Sequence, residues 1–481
     1  MPHAIAFRTW LPLAGAALLA CVIGALAALA PTTAVGVTLG LVLLLVTAVR
    51  PVAGLALFTY LAILETTPLL LSGVTAAKLL GVLLFAVWLG AVAVNSAGLR
   101  HLAVERPAVL AVLLLFGVWT TVSVVHASEP AASGPPLMRL WMDIALVLVA
   151  YAFLTDARAK LTVFKGWALG TVTAVIAGLL FGPSLSATEG RFVAVGTDPN
   201  EFATLSVASI AFCVGLAITR GRASVERALW SLFAVIACLA VFLTGSRGGL
   251  VALAAAAVAA VAVAQRRRGR ALAAVIALCG LAVAYFSAIA PPEVRARIIN
   301  PGSGTGRTDL WTVATRMIEA NPLLGVGVGN FPEEAGRYLL VPGLLRETQF
   351  IVVDPKVAHN AYLEVAAETG LPGLALFVAL LGTAFASCRR AWLRAEAIGD
   401  RHLSVAARAL FVALVAYAVA IVWLSQQYGK QLWLLLALAF ALPDLAAAPD
   451  RQRALSPQAS QRRRRWTAPR ARRRAATATT S

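Results

Sequence analysis

Residues 250–290 read LVALAAAAVAAVAVAQRRRGRALAAVIALCGLAVAYFSAIA. Two apolar runs, 250–264 and 271–290, flank a short insert carrying Arg266, Arg267, Arg268 and Arg270. A bilayer crossing takes about 20 mostly apolar residues, and clustered arginine marks a cytoplasmic loop between two crossings. The rest of the chain repeats this arrangement. Of 481 residues, 60% are hydrophobic and 13% are charged, and the mean hydropathy is +0.83. Soluble domains carry roughly 25% charged residues. The composition excludes a soluble globular enzyme, a disordered chain and a disulfide-rich secreted module, and leaves an integral membrane protein.

Working outward gives fourteen candidate spans: 11–30, 34–49, 52–71, 74–94, 108–125, 140–154, 161–181, 202–219, 228–244, 250–264, 271–290, 371–387, 405–424 and 430–445. Several are short, so the expected fold is all-α and polytopic, with about 12–14 transmembrane helices and one long, partly helical loop. The formal charge of +19 arises from 41 Lys and Arg against 22 Asp and Glu. Such a balance invites a nucleic-acid partner, but the basic residues fall in alternate loops: Arg50; Arg100 and Arg106; Arg158 and Lys160; Arg220, Arg222 and Arg227; Arg266–Arg270; and Arg389, Arg390, Arg394 and Arg401. Residues 446–481 add ten Arg and one Asp. This is a topology signal that places both termini in the cytoplasm, and no nucleic acid is expected. The basic tail reads as a disordered anchor, with binding to anionic headgroups as its alternative. The first apolar run continues past Cys21 to Ala30, longer than a signal-peptide core, and reads as an uncleaved span. No cysteine falls in an outside loop and no Cys/His spacing suggests zinc, so neither disulfide nor metal is expected.

Asp143, Lys78, Lys165, Glu65 and Arg408 stand toward the ends of the candidate spans. Without a central carboxylate or His, the spans argue against an ion-coupled transporter. Chemistry is concentrated instead in three outside loops. The first is GPSLSATEGRFVAVGTDPNE (182–201). The second is the turn Leu243-Thr244-Gly245-Ser246-Arg247-Gly248-Gly249. The third, 291–370, is much the longest. These loops hold Arg191, Arg247, Arg295, Arg307, Arg316 and Arg337 on the face where basic residues are unusual. Arginine on that face suggests a bound anion, because its planar fork pairs with two phosphate oxygens at once. The glycines beside Arg247 allow close backbone approach, and amide groups at the following helix start suit a phosphate. A plain glycine-rich hairpin with Arg247 reaching to headgroups fits the same residues.

Within the long loop, Leu310, Trp311, Val313, Ala314, Met317 and Ile318 recur at helical spacing. They predict an amphipathic helix on the membrane surface or on the span bundle. The glycines of Asn321-Pro322-Leu323-Leu324-Gly325-Val326-Gly327-Val328-Gly329 follow no strand, so they predict a special turn rather than a dinucleotide fingerprint. His359, alone among five histidines in this loop, suits a general base or a structural hydrogen bond.

Taken in order, these motifs resemble the O-antigen ligase and O-antigen polymerase superfamily. The resemblance rests on Arg191-Phe192 with Asp198-Pro199-Asn200, then Gly245-Ser246-Arg247-Gly248, then Gly306-Arg307 with Trp311, Asn321-Pro322 and Gly325-Val326-Gly327, and His359-Asn360-Ala361-Tyr362-Leu363 with Gly370. It covers roughly residues 182–390. It implies a GT-C-like glycosyl-transfer enzyme of the bacterial inner membrane with a periplasmic active site. The donor would be an undecaprenyl-diphosphate-linked glycan and the acceptor lipid A–core or another glycan, with membrane lipids around it and no metal or cofactor. It further implies that His359, Arg247 and Arg307 are catalytic, and that Arg191, Asp198, Asn200, Ser246, Asn360 and Tyr362 bind substrate. The division that follows is 1–181, N-terminal helices; 182–390, the ligase-like core including the loop 291–370; 391–445, C-terminal helices; and 446–481, the tail. A polymerase of the same superfamily, a polysaccharide or lipid transporter, and a non-catalytic assembly scaffold are the competing expectations.

Overall fold

A computed structural model describes residues 31–64, 75–94, 99–181, 191–192, 194, 198–219, 224–299, 306–339 and 357–454. The candidate span 11–30 and the end of the tail lie outside these residues. Seventeen helices follow in order: α1 (Pro31–Val49), α2 (Pro51–Ile63), α3 (Ala76–Ala93), α4 (Leu102–Glu105), α5 (Pro107–Val122), α6 (Pro130–Phe153), α7 (Ala157–Phe181), α8 (Pro199–Thr219), α9 (Val225–Leu243), α10 (Arg247–Val263), α11 (Arg268–Ala284), α12 (Pro292–Ile299), α13 (Arg307–Ala320), α14 (Phe331–Leu339), α15 (Ala361–Ala397), α16 (Arg401–Ala420) and α17 (Lys430–Ala454). Among the described residues, nine helices are long and apolar enough to cross a membrane and four further apolar helices are shorter. The chain is an all-α, multi-pass membrane protein. Helices satisfy their own backbone groups, which a bilayer requires. Their starts are written in the sequence: proline opens α2, α5 and α6, and Thr75, Ser224, Ser246, Asn360 and Asp400 cap α3, α9, α10, α15 and α16.

Packing grades from centre to rim. α8 is enclosed by α7, α9, α10 and α16, and most of its residues are buried. α2 lies directly on α7 because Gly166 and Gly170 present no side chain: a Cβ at either would collide with the Ala56 or Tyr60 carbonyl. Small residues four apart are the usual device for close helix contact in lipid. At the rim, α11 buries none of its residues. A second, smaller core outside the bundle gathers Leu310, Val313, Met317, Phe331, Ala358 and Ala367. The amphipathic face predicted for residues 307–319 is therefore turned onto α14 and the head of α15.

Two elements differ from expectation. The apolar run predicts a span over 371–387, yet α15 starts at Ala361 and runs through a kink at Gly370 (φ 71°, ψ 179°). Only glycine adopts this backbone readily. The 321–329 loop fits into the kink, where Leu371 N–H donates to the Pro322 carbonyl (2.8 Å) and Val326 N–H to the Ala367 carbonyl (2.9 Å). α6 begins at Pro130 rather than near Leu140, its first turns braced by Ser133 donating to the Val328 carbonyl (2.7 Å) and by the Asn330 side chain accepting from Glu129 N–H (2.8 Å). Asp143 therefore stands near the middle of α6, 5% exposed, and not toward an end.

The basic residues read as topology markers are also built into the interior. Arg100 donates to the Leu154 and Ala441 carbonyls and pairs with Glu105 (3.0 Å). Arg106 reaches the Phe440 carbonyl (3.0 Å), and buried Lys160 reaches the Leu154 carbonyl (2.9 Å). Of these acceptors, the Leu154 carbonyl caps the C-terminus of α6, where a carbonyl has no partner within the helix and a cation is favoured.

Candidate functional site

The motif loops meet at the end of the bundle formed by the starts of α8, α10 and α15. α9 closes at Leu243, and Gly245 turns the chain with φ 56°. Ser246 then caps α10, its hydroxyl accepting from Gly249 N–H (3.1 Å). Arg247 is the first residue of α10 and partly buried. The amide of Gly249 is thus already satisfied, and that glycine serves packing: a Cβ there would collide with Ala203 of α8.

Arg191 fastens this turn from the side. Its Nε donates to the Thr244 carbonyl (2.9 Å) and a terminal nitrogen to Asn200 Oδ1 (3.0 Å). The same Asn200 oxygen accepts from Ser246 Oγ (2.8 Å). Asp198 starts α8 by accepting from the amides of Asn200 (2.8 Å) and Glu201 (3.2 Å). Arg191, Asn200 and Ser246 therefore form one knot that sets the backbone beneath Arg247.

His359 is held with equal definition. It has φ 49°, a left-handed conformation uncommon outside glycine. Such a backbone persists only where neighbours enforce it. Before it, Ala358 N–H donates to Glu364 Oε2 (2.9 Å). After it, Asn360 Oδ1 caps α15 by accepting from Tyr362 N–H (3.0 Å) and Leu363 N–H (3.1 Å). Tyr362 donates its hydroxyl to the Ala418 carbonyl (2.8 Å) and packs edge-on against Phe377. Glu364, 4% exposed, also accepts from Ser425 Oγ and from Gln427 Nε2 (2.6 Å).

Arg307 arrives by the second core. It is the first residue of α13, after Gly306 in a left-handed turn. α13 packs on α15, and its Leu310, Val313 and Met317 share a core with Ala358, the residue before His359.

The element that joins these pieces was not singled out from sequence. It is the connector 421–429 between α16 and α17, Ile421-Val422-Trp423-Leu424-Ser425-Gln426-Gln427-Tyr428-Gly429. Its Ile421 and Leu424 carbonyls accept from Ala361 N–H (2.9 and 3.1 Å). Ser425 and Gln427 hold Glu364. Gln426 hydrogen-bonds Glu201 beside the Asp198 turn. Trp423 lies where a Cβ on Gly248 would touch it (3.4 Å), one residue from Arg247. Tyr428 stands beside Glu368 and Glu364; burial first, and those carboxyls next, push its phenol well above its usual range. It therefore stays protonated. The signal available in the sequence was a run of uncharged polar residues, Ser425 to Tyr428, between two apolar spans.

Arg191, Asn200 and Ser246 are thus brought together under Arg247, and Asn360 and Tyr362 are brought to His359. Asp198, Asn360 and Tyr362 engage their side chains with the protein itself. Among the described residues, no group of three or more His, Cys, Asp or Glu is placed to hold a metal ion.

Residues 232–378 match the family model described as O-Antigen ligase. That segment is similar to O-antigen ligase-related proteins. It includes Arg247, Arg307 and His359, and it leaves out Arg191, Asn200 and the connector 421–429. No curated protein matches the chain.

Proposed function

We propose that the protein transfers a glycan from an undecaprenyl-diphosphate carrier to an acceptor hydroxyl, lipid A–core or a similar glycan, on the periplasmic face of the bacterial inner membrane. One observation carries this reading. Three loops distant in sequence are tied by the 421–429 connector into one frame that carries Arg247 and His359. In this reading Arg247 and Arg307 bind the carrier diphosphate. As the bond between the anomeric carbon and the diphosphate oxygen breaks, both electrons leave with that oxygen. Preorganised guanidinium groups stabilise the charge that develops, commonly the largest single contribution to catalysis. His359 takes the proton of the acceptor hydroxyl as the new carbon–oxygen bond forms. The displacement is direct and inverts the anomeric centre. Arg191, Asn200, Ser246 and Asn360 act by positioning, and Asp198 and Tyr362 complete the frame.

Arg247→Ala and His359→Ala should each abolish transfer while the protein still inserts, read from the glycolipids of a deletion strain carrying each variant. Full transfer by either would remove that residue from the mechanism. The deletion strain also separates the two acceptor classes. Polymer accumulating on the carrier identifies a ligase, and single repeats identify a polymerase. Reporter fusions after Asp354 should read periplasmic and those after Arg453 cytoplasmic; the reverse would overturn the orientation.

Asp143, buried at the middle of α6, favours a second reading, a transporter, because ionisable groups at depth commonly mark translocation pathways. Substrate translocated without any new glycosidic bond would select it.

A further inference from the structure

We propose that the opposite end of the bundle holds a binding site for one anionic phospholipid. A cavity of about 750 Å³ opens there between α8, α10, α11 and α16, within the size range of ordinary ligand pockets. One side of it is α11, whose Ala271, Ala274, Val275 and Leu278 fall at i, i+3, i+4 and i+7 and line the space. α11 buries none of its residues because this face meets the gap and not another helix. Across from it, the α10 wall runs from Leu253 to Val263, so the apolar shaft extends on the order of 15 Å along the helix axis.

The mouth has a different chemistry. Arg227, Arg267, Arg270, Arg401 and Arg408 line it against Glu396 and Asp400, a net charge of +3. All of the charged groups sit at one end of the shaft. They come from the start of α9, the start of α11, the end of α15 with the turn after it, and the first two turns of α16. Glu396 is already engaged, by an ion pair with Arg408 and by Gln265 Nε2 (3.1 Å). Arg401 donates to the Ile218 carbonyl (2.8 Å). Arg408 Nε nevertheless remains buried without a partner, and Arg267 lies within electrostatic reach of Arg408. Five arginines against two carboxylates, with one buried guanidinium donor to spare, leave room for a further anion at the mouth.

An anionic head in contact with a long apolar shaft describes a lipid. Inorganic phosphate would leave the shaft unfilled. The diphosphate of the glycan carrier is assigned to the other end of the bundle, next to Arg247. The cavity therefore takes a phospholipid of the leaflet on its own side, phosphate at the arginines and one acyl chain between α10 and α11. It holds α11 against the bundle through lipid in place of side chains.

The test is native mass spectrometry of the full chain released from nanodiscs containing equal phosphatidylglycerol and phosphatidylcholine. Wild type should retain phosphatidylglycerol selectively. The double variant Arg267→Gln/Arg270→Gln should weaken that retention by roughly tenfold or more. Ala260→Phe keeps every arginine and fills the shaft, and it should displace the lipid independently if the double variant does not fold. Equal retention of both lipids by wild type, or undiminished phosphatidylglycerol on either folded variant, would overturn the proposal. So would retention of added inorganic phosphate without lipid, or preferential retention of undecaprenyl phosphate from doped nanodiscs.

Discussion

Glu364→Ala should uncouple the His359 loop from the connector, and the cost follows from its contacts. The carboxylate accepts from Ala358 N–H, Ser425 Oγ and Gln427 Nε2. Removing it leaves three donors without an acceptor. A buried donor left unsatisfied costs about 1–3 kcal/mol, so the intact arrangement would bear about 3–9 kcal/mol before the empty volume is counted. The loop will open sooner than sustain that, since residue 359 already occupies an uncommon backbone conformation. A displacement of about 1 Å at a reacting group can lower a rate by roughly 100-fold. Glu364→Ala should therefore lower transfer at least that far. Glu364→Gln should stay within about tenfold of wild type, because Gln427 Oε1 has no partner and can turn to accept from the new amide. Two assays decide it: transfer by purified protein with carrier-linked glycan, and hydrogen exchange at residues 357–360. If Glu364→Gln is as inactive as Glu364→Ala while exchange matches wild type, bracing is the wrong role and Glu364 acts in the chemistry itself.

Asn200→Ala removes the acceptor shared by Arg191 and buried Ser246, and should cost about 2–3 kcal/mol, seen as a lower melting temperature in detergent. Asn200→Asp keeps an acceptor there and should recover most of that loss; no difference between the two would refute the knot. Gly370→Ala combines a glycine-only backbone with a collision against the Leu323 carbonyl. It should cost more than about 3 kcal/mol and remove most folded protein from membranes; normal accumulation would show that the kink relaxes freely. Asp143→Asn should leave the kcat of glycan transfer unchanged; a fall of about tenfold or more would give Asp143 a part in the transfer itself.

How much of this was readable from sequence depended on the range of the interaction. The crossings were legible because apolarity over some 20 residues is a local property. The candidate anion-binding arginines were legible because Arg247 and Arg307 interrupt a charge bias that holds elsewhere. Asp143 falls near the end of the apolar run 140–154 but near the middle of α6, because Ser133 and Glu129 bind the 328–330 turn and hold residues 130–139 helical. The connector was invisible for a different reason. Ser425, Gln426 and Gln427 carry no charge, and Gln427 meets its carboxylate 63 residues earlier in the chain. The glycines at 325, 327 and 329 announced an unusual turn, but not that it would fit the kink of a helix beginning at Ala361.

That kink divides α15 into two levers of unequal length. The part beyond Gly370, residues 371–397, is on the order of 40 Å long. The hydrocarbon slab it crosses is about 30 Å thick. A rod longer than its slab leans or projects, and the lean follows the thickness of the surrounding lipid. The short lever, residues 361–369, carries the His359 loop at its tip. The acyl-chain length of the host membrane therefore sets the lean of the long lever, and Gly370 is the joint that stands between that lean and the frame holding His359.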